Sequence, residues 1–304
     1  MRYTRALINK ENLVHNLNTI RNIAPNSKVM AIVKANAYGH GIVECSRILE
    51  EQGVDYLGVA FPEEGIKLRE NGIKANITIL VPSPPEDCSA IVKYGLDSVV
   101  TSVQCMSNMN EAAAAAGKTA KLHLFVDSGM NREGILPEDA EDFMNKSRGM
   151  KHVEIVAICT HFATADDPDP TFISRQLSEF NKTYDNLISK GFSFKYRHTS
   201  NSAAVLNYPE AQYEMIRPGI FLYGYKSSKL IIKDIDLKPV MSFKSNVFKV
   251  KRLKKGDSVS YGRRFVAESE TTIAVVPAGY GDGIFWNLTG QGKCLIKGKP
   301  YNIV

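Results

Sequence analysis

The stretch KVMAIVKA, residues 28–35, is the first of eight short apolar runs that decide how this chain folds. Longer segments with helical periodicity separate the runs, among them IVECSRILEEQ, PEEGIKLRENG and PTFISRQLSEFNKTYDNLISKG. This alternation is typical of parallel strands joined by helical crossovers. Eight such units favour a closed (β/α)8 barrel over an open sheet, which makes this an α/β chain. The other seven runs are YLGVA (56–60), ITILV (77–81), DSVVT (97–101), KLHLFVD (121–127), EIVAICTHF (154–162), FKYRHTS (194–200) and MIRPGI (215–220).

The pattern changes in the last quarter of the chain. Segments such as SFKSNVFKVKRLK, TTIAVVPAGYG and KCLIKGKPYNIV are strand-like, carry glycine-bearing turns and lack helical periodicity. They predict a separate, mostly β domain after the barrel. We therefore expect a strand within residues 1–9 that packs with the β domain, a barrel over 10–230 and a β domain over 231–304 that ends in mid-sheet.

Composition narrows the possible functions. The chain has 304 residues, no apolar run near the roughly 18 residues of a membrane helix and no signal-peptide core, so we expect a cytoplasmic protein. Its five cysteines are scattered, which predicts neither disulfides nor a metal site. The net charge is +6, but the one dense basic stretch, KVKRLKKGD, lacks interleaved aromatics. We expect no nucleic-acid or membrane partner, and the surplus charge can attract an anionic substrate or cofactor.

Lys34 lies at the end of the first apolar run, where a barrel places its active-site groups. A lysine at such a position can simply lay its stem along apolar surface and keep its ammonium in water. In a partly desolvated mouth, however, the charged form is disfavoured, and the neutral amine can condense with a carbonyl. Position alone leaves both interpretations open.

The residues around Lys34 resemble a known motif. VKANAYGHG, residues 33–41, resembles the pyridoxal-phosphate lysine motif of the alanine racemase family, and the resemblance extends over nearly the whole chain. It implies a TIM-like barrel followed by a β domain. Other segments are similar to that family's signatures, in the same order and at comparable spacing: VDSGMNREG (126–134), THFATAD (160–166), HTSNSAA (198–204), RPGIFLYG (217–224), VSYG (259–262) and PAGYGDG (277–283).

The resemblance implies an isomerase that interconverts L- and D-alanine and supplies D-alanine for cell-wall peptidoglycan. Its cofactor would be pyridoxal 5'-phosphate, bound covalently as an aldimine to Lys34. Racemisation removes a proton from one face of the α-carbon and returns one to the other, so two bases are needed. The resemblance implies that these are Lys34 and Tyr261, and that Tyr261 acts in the neighbouring subunit of a head-to-tail homodimer.

The resemblance also implies the residues that surround the cofactor and substrate. Arg217 would contact the pyridine nitrogen and, because a guanidinium keeps its proton, leave that nitrogen unprotonated. This weakens the ring as an electron sink and favours racemisation over transamination. Arg132 would bind the substrate carboxylate, and His198 would support Arg217. The remaining implied cofactor-binding residues are Tyr38, His161, Asn201, Ser202, Gly219 and Ile220, with Asn36, Gly39, His40 and Gly41 shaping the loop.

Two features depart from the family's pattern. Phe125 stands where many members have a carbamylated lysine that braces the substrate-binding arginine, so another group must position Arg132. The family's β domain also continues past the point that matches Val304, so we expect a truncated domain without a segment that lines the substrate pocket. A serine or broad-specificity racemase is therefore an alternative. More distant alternatives are a pyridoxal-phosphate decarboxylase of the same architecture and a non-catalytic cofactor-binding protein.

Overall fold

The computed structural model describes residues 3–231 and 233–304. These residues form two compact units. One comprises residues 9–240, and the other comprises residues 3–8 together with 241–304. Within the described ranges, no helix combines the length and the apolar character required to cross a membrane.

Eight parallel strands form the centre of the larger unit. The strands are β2 (Lys28–Ile32), β3 (Tyr56–Val59), β4 (Asn76–Ile79), β5 (Asp97–Val100), β6 (Ala120–Phe125), β7 (Val153–Cys159), β8 (Tyr196–His198) and β9 (Met215–Ile216). They are hydrogen-bonded in the order β8-β7-β6-β5-β4-β3-β2-β9. The segments that directly follow the two outer strands also meet, because the Arg217 amide donates to the Ser200 carbonyl at 2.9 Å. The predicted eight-stranded barrel is confirmed.

Helices connect these strands, and local side-chain chemistry sets where several of them begin. Asn9 accepts from the Asn12 amide at 2.8 Å and caps α1, and Ser102 accepts from the Cys105 amide at 3.1 Å and caps α6. The helical segments are α1 (Lys10–Ile23), α2 (Lys34–Tyr38), α3 (Ile42–Glu51), α4 (Pro62–Glu70), α5 (Cys88–Tyr94), α6 (Val103–Ala115), α7 (Ala140–Ser147), α8 (Thr171–Ser189) and α9 (Ser202–Asn207).

Apolar side chains fill most of the barrel interior. Burial of one such side chain stabilises the fold by about 1.5–3 kcal/mol. Leu80 packs against two buried clusters. One consists of Met30, Ile32, Tyr56, Val156, Ala157, Tyr196 and Met215, and the other of Val99, Phe125 and Cys159.

The smaller unit consists of antiparallel strand pairs. Its other regular segments among the described residues are short 3-10 turns. The predicted mostly β domain is confirmed. Its pairs are β1 (Arg5–Ile8) with β10 (Met241–Lys244), β11 (Lys249–Leu253) with β14 (Thr271–Val275), β12 (Ser258–Val259) with β13 (Phe265–Val266), and β15 (Lys293–Ile296) with β16 (Lys299–Asn302).

Candidate active site

Lys34 opens a left-handed turn directly after the first barrel strand. Strand β2 ends at Ile32, earlier than the apolar run suggested, and the four residues Ala35–Tyr38 have φ between 53° and 55°. A non-glycine residue pays about 1–2 kcal/mol for this conformation, so the surroundings must hold the turn in place. The Glu64 carboxylate accepts from the Ala35 amide at 2.6 Å, and the Asn36 side chain accepts from the Ile42 amide at 3.0 Å.

The Lys34 amine is half-buried near two other cations. Burial, and then the charges of Arg132 and Arg217, lower its pKa below the 10.5 of an ordinary lysine. Glu133 and Glu64 act in the opposite direction but more weakly. At a given pH, a larger fraction of this amine is therefore neutral than for an ordinary lysine. The neutral form can attack a carbonyl or accept a proton.

Arg217 lies buried beyond the end of β9 and is held by acceptors alone. It donates to the carbonyls of His198, Thr160 and Thr199, and to the Nδ1 atoms of His198 at 2.7 Å and His161 at 3.2 Å. Since arginine has no acceptor atom, both Nδ1 atoms must carry lone pairs. Burial, followed by the charge of Arg217, lowers the pKa of His161 to about 3 and that of His198 well below 6.5. Both rings are therefore neutral at pH 7.

Gly219 permits a close approach between the chain and Tyr38. A Cβ at this position would lie 2.6 Å from the Tyr38 hydroxyl oxygen. The Ser202 hydroxyl oxygen accepts from the Gly219 amide at 2.8 Å and from the Phe221 amide at 3.4 Å, so its own proton remains available to an anion. Ile220 begins the turn that follows. Two hydroxyls and this stretch of main chain can thus surround a phosphate.

Asn201 has a structural task in addition to its implied cofactor role. Its side chain accepts from the Ala204 amide at 3.1 Å and caps α9, whose first residue is Ser202. This cap fixes the start of the helix and with it the position of the Ser202 hydroxyl.

Glu133 is the partner of Arg132 and was missed in the sequence analysis. The Arg132 guanidinium donates to the Glu133 carboxylate at 3.0 Å, and the Glu133 side chain is 16% exposed whereas that of Arg132 is 54% exposed. Phe125, by contrast, is packed in the apolar cluster with Val99 and Cys159. The acidic residue directly after the arginine in SGMNREG was the available sequence signal.

Tyr261 lies in the smaller unit, in a 3-10 turn after β12. The residue is 76% exposed, and Ser260 before it has a φ of 59°. In the larger unit, the charges of Lys34, Arg132 and Arg217 all act on His161, so these four side chains lie close together at the mouth of the barrel. The structure therefore brings together the predicted lysine, arginines and histidines of the barrel, while Tyr261 belongs to the other unit.

Comparison with known proteins gives a consistent result. Residues 8–227 match the family model "Alanine racemase, N-terminal domain", and residues 240–304 match "Alanine racemase, C-terminal domain". The alanine racemase of Carboxydothermus hydrogenoformans is 38% identical over 304 residues, which are 100% of this chain and 82% of that protein. The alanine racemase of Clostridium novyi is 38% identical over 98% of this chain and 78% of that protein.

Solved structures agree with these sequence relatives. The alanine racemase of Clostridium difficile 630 has a TM-score of 0.95 at 37% identity, over 99% of this chain and 79% of its own. A histidine racemase from Leuconostoc mesenteroides subsp. sake has a TM-score of 0.92 at 28% identity, over 100% of this chain and 82% of its own. The fold is thus shared by racemases that are named for different amino acids.

Proposed function

The chain belongs to the alanine racemase family, and we propose that it is a pyridoxal-phosphate-dependent racemase that interconverts L- and D-alanine. The observation that carries the proposal is the half-buried Lys34 amine, whose pKa is lowered by burial and by Arg132 and Arg217 at the barrel mouth. Alanine is proposed as the substrate because the alanine racemases described above are 37–38% identical to this chain, whereas the histidine racemase is 28% identical.

The side chains around Lys34 fit pyridoxal 5'-phosphate. A lysine with a lowered pKa can offer a neutral amine to the aldehyde. The Tyr38 and Ser202 hydroxyls, with the close backbone at Gly219, fit the phosphate, and the donor-only Arg217 fits an acceptor nitrogen on the ring. When bound, this cofactor supplies an electron sink for the electron pair left at the substrate α-carbon.

The chain's own residues would then move the proton and hold the substrate. The Lys34 amine takes the proton from the α-carbon on one face, and a second acid returns a proton on the opposite face, so the number of protons is unchanged. Arg132 presents a planar fork of donors to the substrate carboxylate, and Glu133 orients that fork. Arg217 is fixed by three carbonyls and two neutral rings, so it can hold the ring nitrogen without transferring a proton to it.

We assign the second acid to Tyr261 and propose that a neighbouring copy supplies it in a head-to-tail homodimer. Its large exposure in this chain supports that assignment, since the phenol is accessible to a second copy. We further propose that the enzyme works in the cytoplasm and that its D-alanine enters peptidoglycan. The five free cysteines support a reducing compartment.

The test is a racemisation assay in deuterium oxide. We incubate the purified chain with pyridoxal phosphate and L-alanine and follow D-alanine formation and α-deuterium incorporation, with Lys34→Ala as the matched control. Both signals are expected from the wild type and neither from the variant. Deuterium uptake without D-alanine would contradict the two-base assignment. Faster turnover of L-serine than of L-alanine, measured in parallel, would contradict the substrate assignment, and absence of both signals would contradict the racemase itself.

A further inference from the structure

A line of polar side chains crosses the apolar interior of the barrel. Arg217 Nη1 lies 2.7 Å from His198 Nδ1, and His198 Nε2 lies 2.9 Å from His123 Nδ1. His123 Nε2 in turn lies 3.5 Å from Asp97 Oδ2. Both histidines are fully buried, and Asp97 is 8% exposed. The line runs from the end of β8 across β6 to the first residue of β5, so it links the mouth of the barrel to the opposite end of its strands.

The far end of this line is otherwise unsatisfied. Both His123 Nε2 and Asp97 Oδ2 are buried atoms without a hydrogen-bond partner among the described residues. An orphaned buried polar group costs about 1–3 kcal/mol, and such groups in folded proteins nearly always have a partner. The two atoms lie 3.5 Å apart, a distance at which no hydrogen bond is formed in this structure. One can donate and the other can only accept, so a small approach would satisfy both.

Hydrogen-bond chemistry allows one direction along the line. Arg217 can only donate, so His198 Nδ1 accepts and the proton of this neutral ring must be on Nε2. That N–H donates to His123 Nδ1, which places the proton of His123 on Nε2. The His123 proton is then on the nitrogen that lies 3.5 Å from the Asp97 carboxylate. Reversing either ring would place two N–H groups against each other at one contact.

We propose that Asp97 and His123 are positioning residues for Arg217, because they fix the proton of His198 on Nε2 and so keep its Nδ1 lone pair on the guanidinium. Together with His123 and His198, the Arg217 guanidinium and the Asp97 carboxylate then form one polarised line with a cation at one end and an anion at the other. Asp97 also interacts electrostatically with the Tyr56 phenol and with Arg69. The hydrogen bonds of the Arg69 guanidinium go to main-chain carbonyls.

The first test needs no substitution in the line. Long-range proton–nitrogen NMR spectra of the cofactor-free protein, labelled with ¹⁵N-histidine, report which ring nitrogen carries the proton. We expect neutral rings with protonated Nε2 at both His123 and His198 at pH 7, with the signals assigned through His123→Gln and His198→Gln. Protonated Nδ1 on either ring would overturn the direction of the line and with it the proposal.

The second test removes the acceptor at the far end. Asn at position 97 can donate or accept, so Asp97→Asn is expected to shift the nitrogen signals of both rings toward a mixture of tautomers. In the loaded enzyme, kcat should fall about tenfold while KM for alanine changes less than about twofold, because Arg132 is untouched. Unchanged ring signals or an unchanged kcat would overturn the positioning role.

Asp55→Asn is the matched control, since it removes another carboxylate from the same larger unit. Asp55 accepts from the Lys28 side chain and the Val29 amide, outside the line. This variant should leave the nitrogen signals and kcat as in the wild type. The role of Arg217 toward the cofactor rests on the proposed function. The NMR test does not depend on that function, because it uses cofactor-free protein. An inactive wild type would therefore contradict the proposed function, and the proton positions would still be decided.

Discussion

Lys34 is a cation in surroundings that disfavour its charge. Its pKa in the folded protein is below 10.5, so the unfolded chain binds its proton more tightly than the folded chain does. The penalty to stability is fully present below the folded pKa and fades as the pH rises toward 10.5. The same burial and cationic neighbours that prepare the amine for chemistry therefore destabilise the cofactor-free protein at neutral pH.

We expect Lys34→Met to raise the melting temperature of the cofactor-free protein at pH 7, because the substitution removes this disfavoured charge and keeps the apolar stem. The gain should shrink at pH 10.5, where half of the Lys34 amines are neutral in the unfolded chain and more than half are neutral in the folded one. Thermal unfolding at the two pH values measures this. Lys182→Met, at an exposed residue of α8, is the control and should give no gain. A lower melting temperature for Lys34→Met at pH 7 would contradict the interpretation.

Glu133 interacts with two of the cations at the mouth of the barrel, Arg132 and Lys34. It pairs with Arg132, and its charge raises the pKa of Lys34. We expect Glu133→Gln to lower the pKa of Lys34 further. The rate of pyridoxal-phosphate uptake falls at low pH as the amine is protonated, and this fall should occur at a lower pH in the variant. KM for alanine should rise about two- to fivefold, the range expected for loss of an ion pair worth up to about 1 kcal/mol.

Absorbance of the lysine-bound cofactor follows the uptake, and initial rates give KM. Glu138→Gln makes the same change of charge at an exposed residue nearby in the chain, so it separates local contact from overall charge. Equal shifts in the two variants would show that Glu133 acts only through net charge and does not hold Arg132.

At the level of elements, hydrophobic periodicity predicted the eight strands of the barrel but not its shortest helices or the contacts between its side chains. All eight predicted strands are present, since each is a short β-rich run bounded by turns or helices. The helices α5 and α9, seven and six residues long, are too short to give a clear 3.6-residue pattern. Motif order named candidate residues, but the Asp97–His123 contact links strands β5 and β6 in a way that neither motif nor period encodes.

The left-handed turn after β2 could not be predicted either, because Ala-Asn-Ala-Tyr lacks the glycine that usually marks positive φ.

The same turn allows a test of backbone strain. Ala35 is exposed and has a φ of 53°, so Ala35→Gly should stabilise the protein by about 1 kcal/mol, in contrast to the usual effect of such a change. Urea unfolding measures the difference. The control Ala112→Gly, in right-handed helix α6, should cost about 1 kcal/mol. Equal losses in both variants would mean that the turn carries no backbone strain.

At the scale of the whole molecule, the two proposed bases lie in different compact units. Lys34 belongs to the barrel unit and Tyr261 to the β unit. A head-to-tail dimer would complete each site with the lysine of one copy and the tyrosine of the other. Two variants that are inactive for different reasons can therefore restore each other, provided that their subunits exchange.

We expect Lys34→Ala and Tyr261→Phe each to lose alanine racemisation and their mixture to regain about a quarter of the wild-type rate. Random exchange makes half of the dimers hybrid, and each hybrid has one site with both Lys34 and Tyr261. Racemisation before and after co-refolding of the two variants gives the answer. If Tyr261 instead served the barrel of its own chain, every site in the mixture would lack one base, and activity would stay at the level of the separate variants.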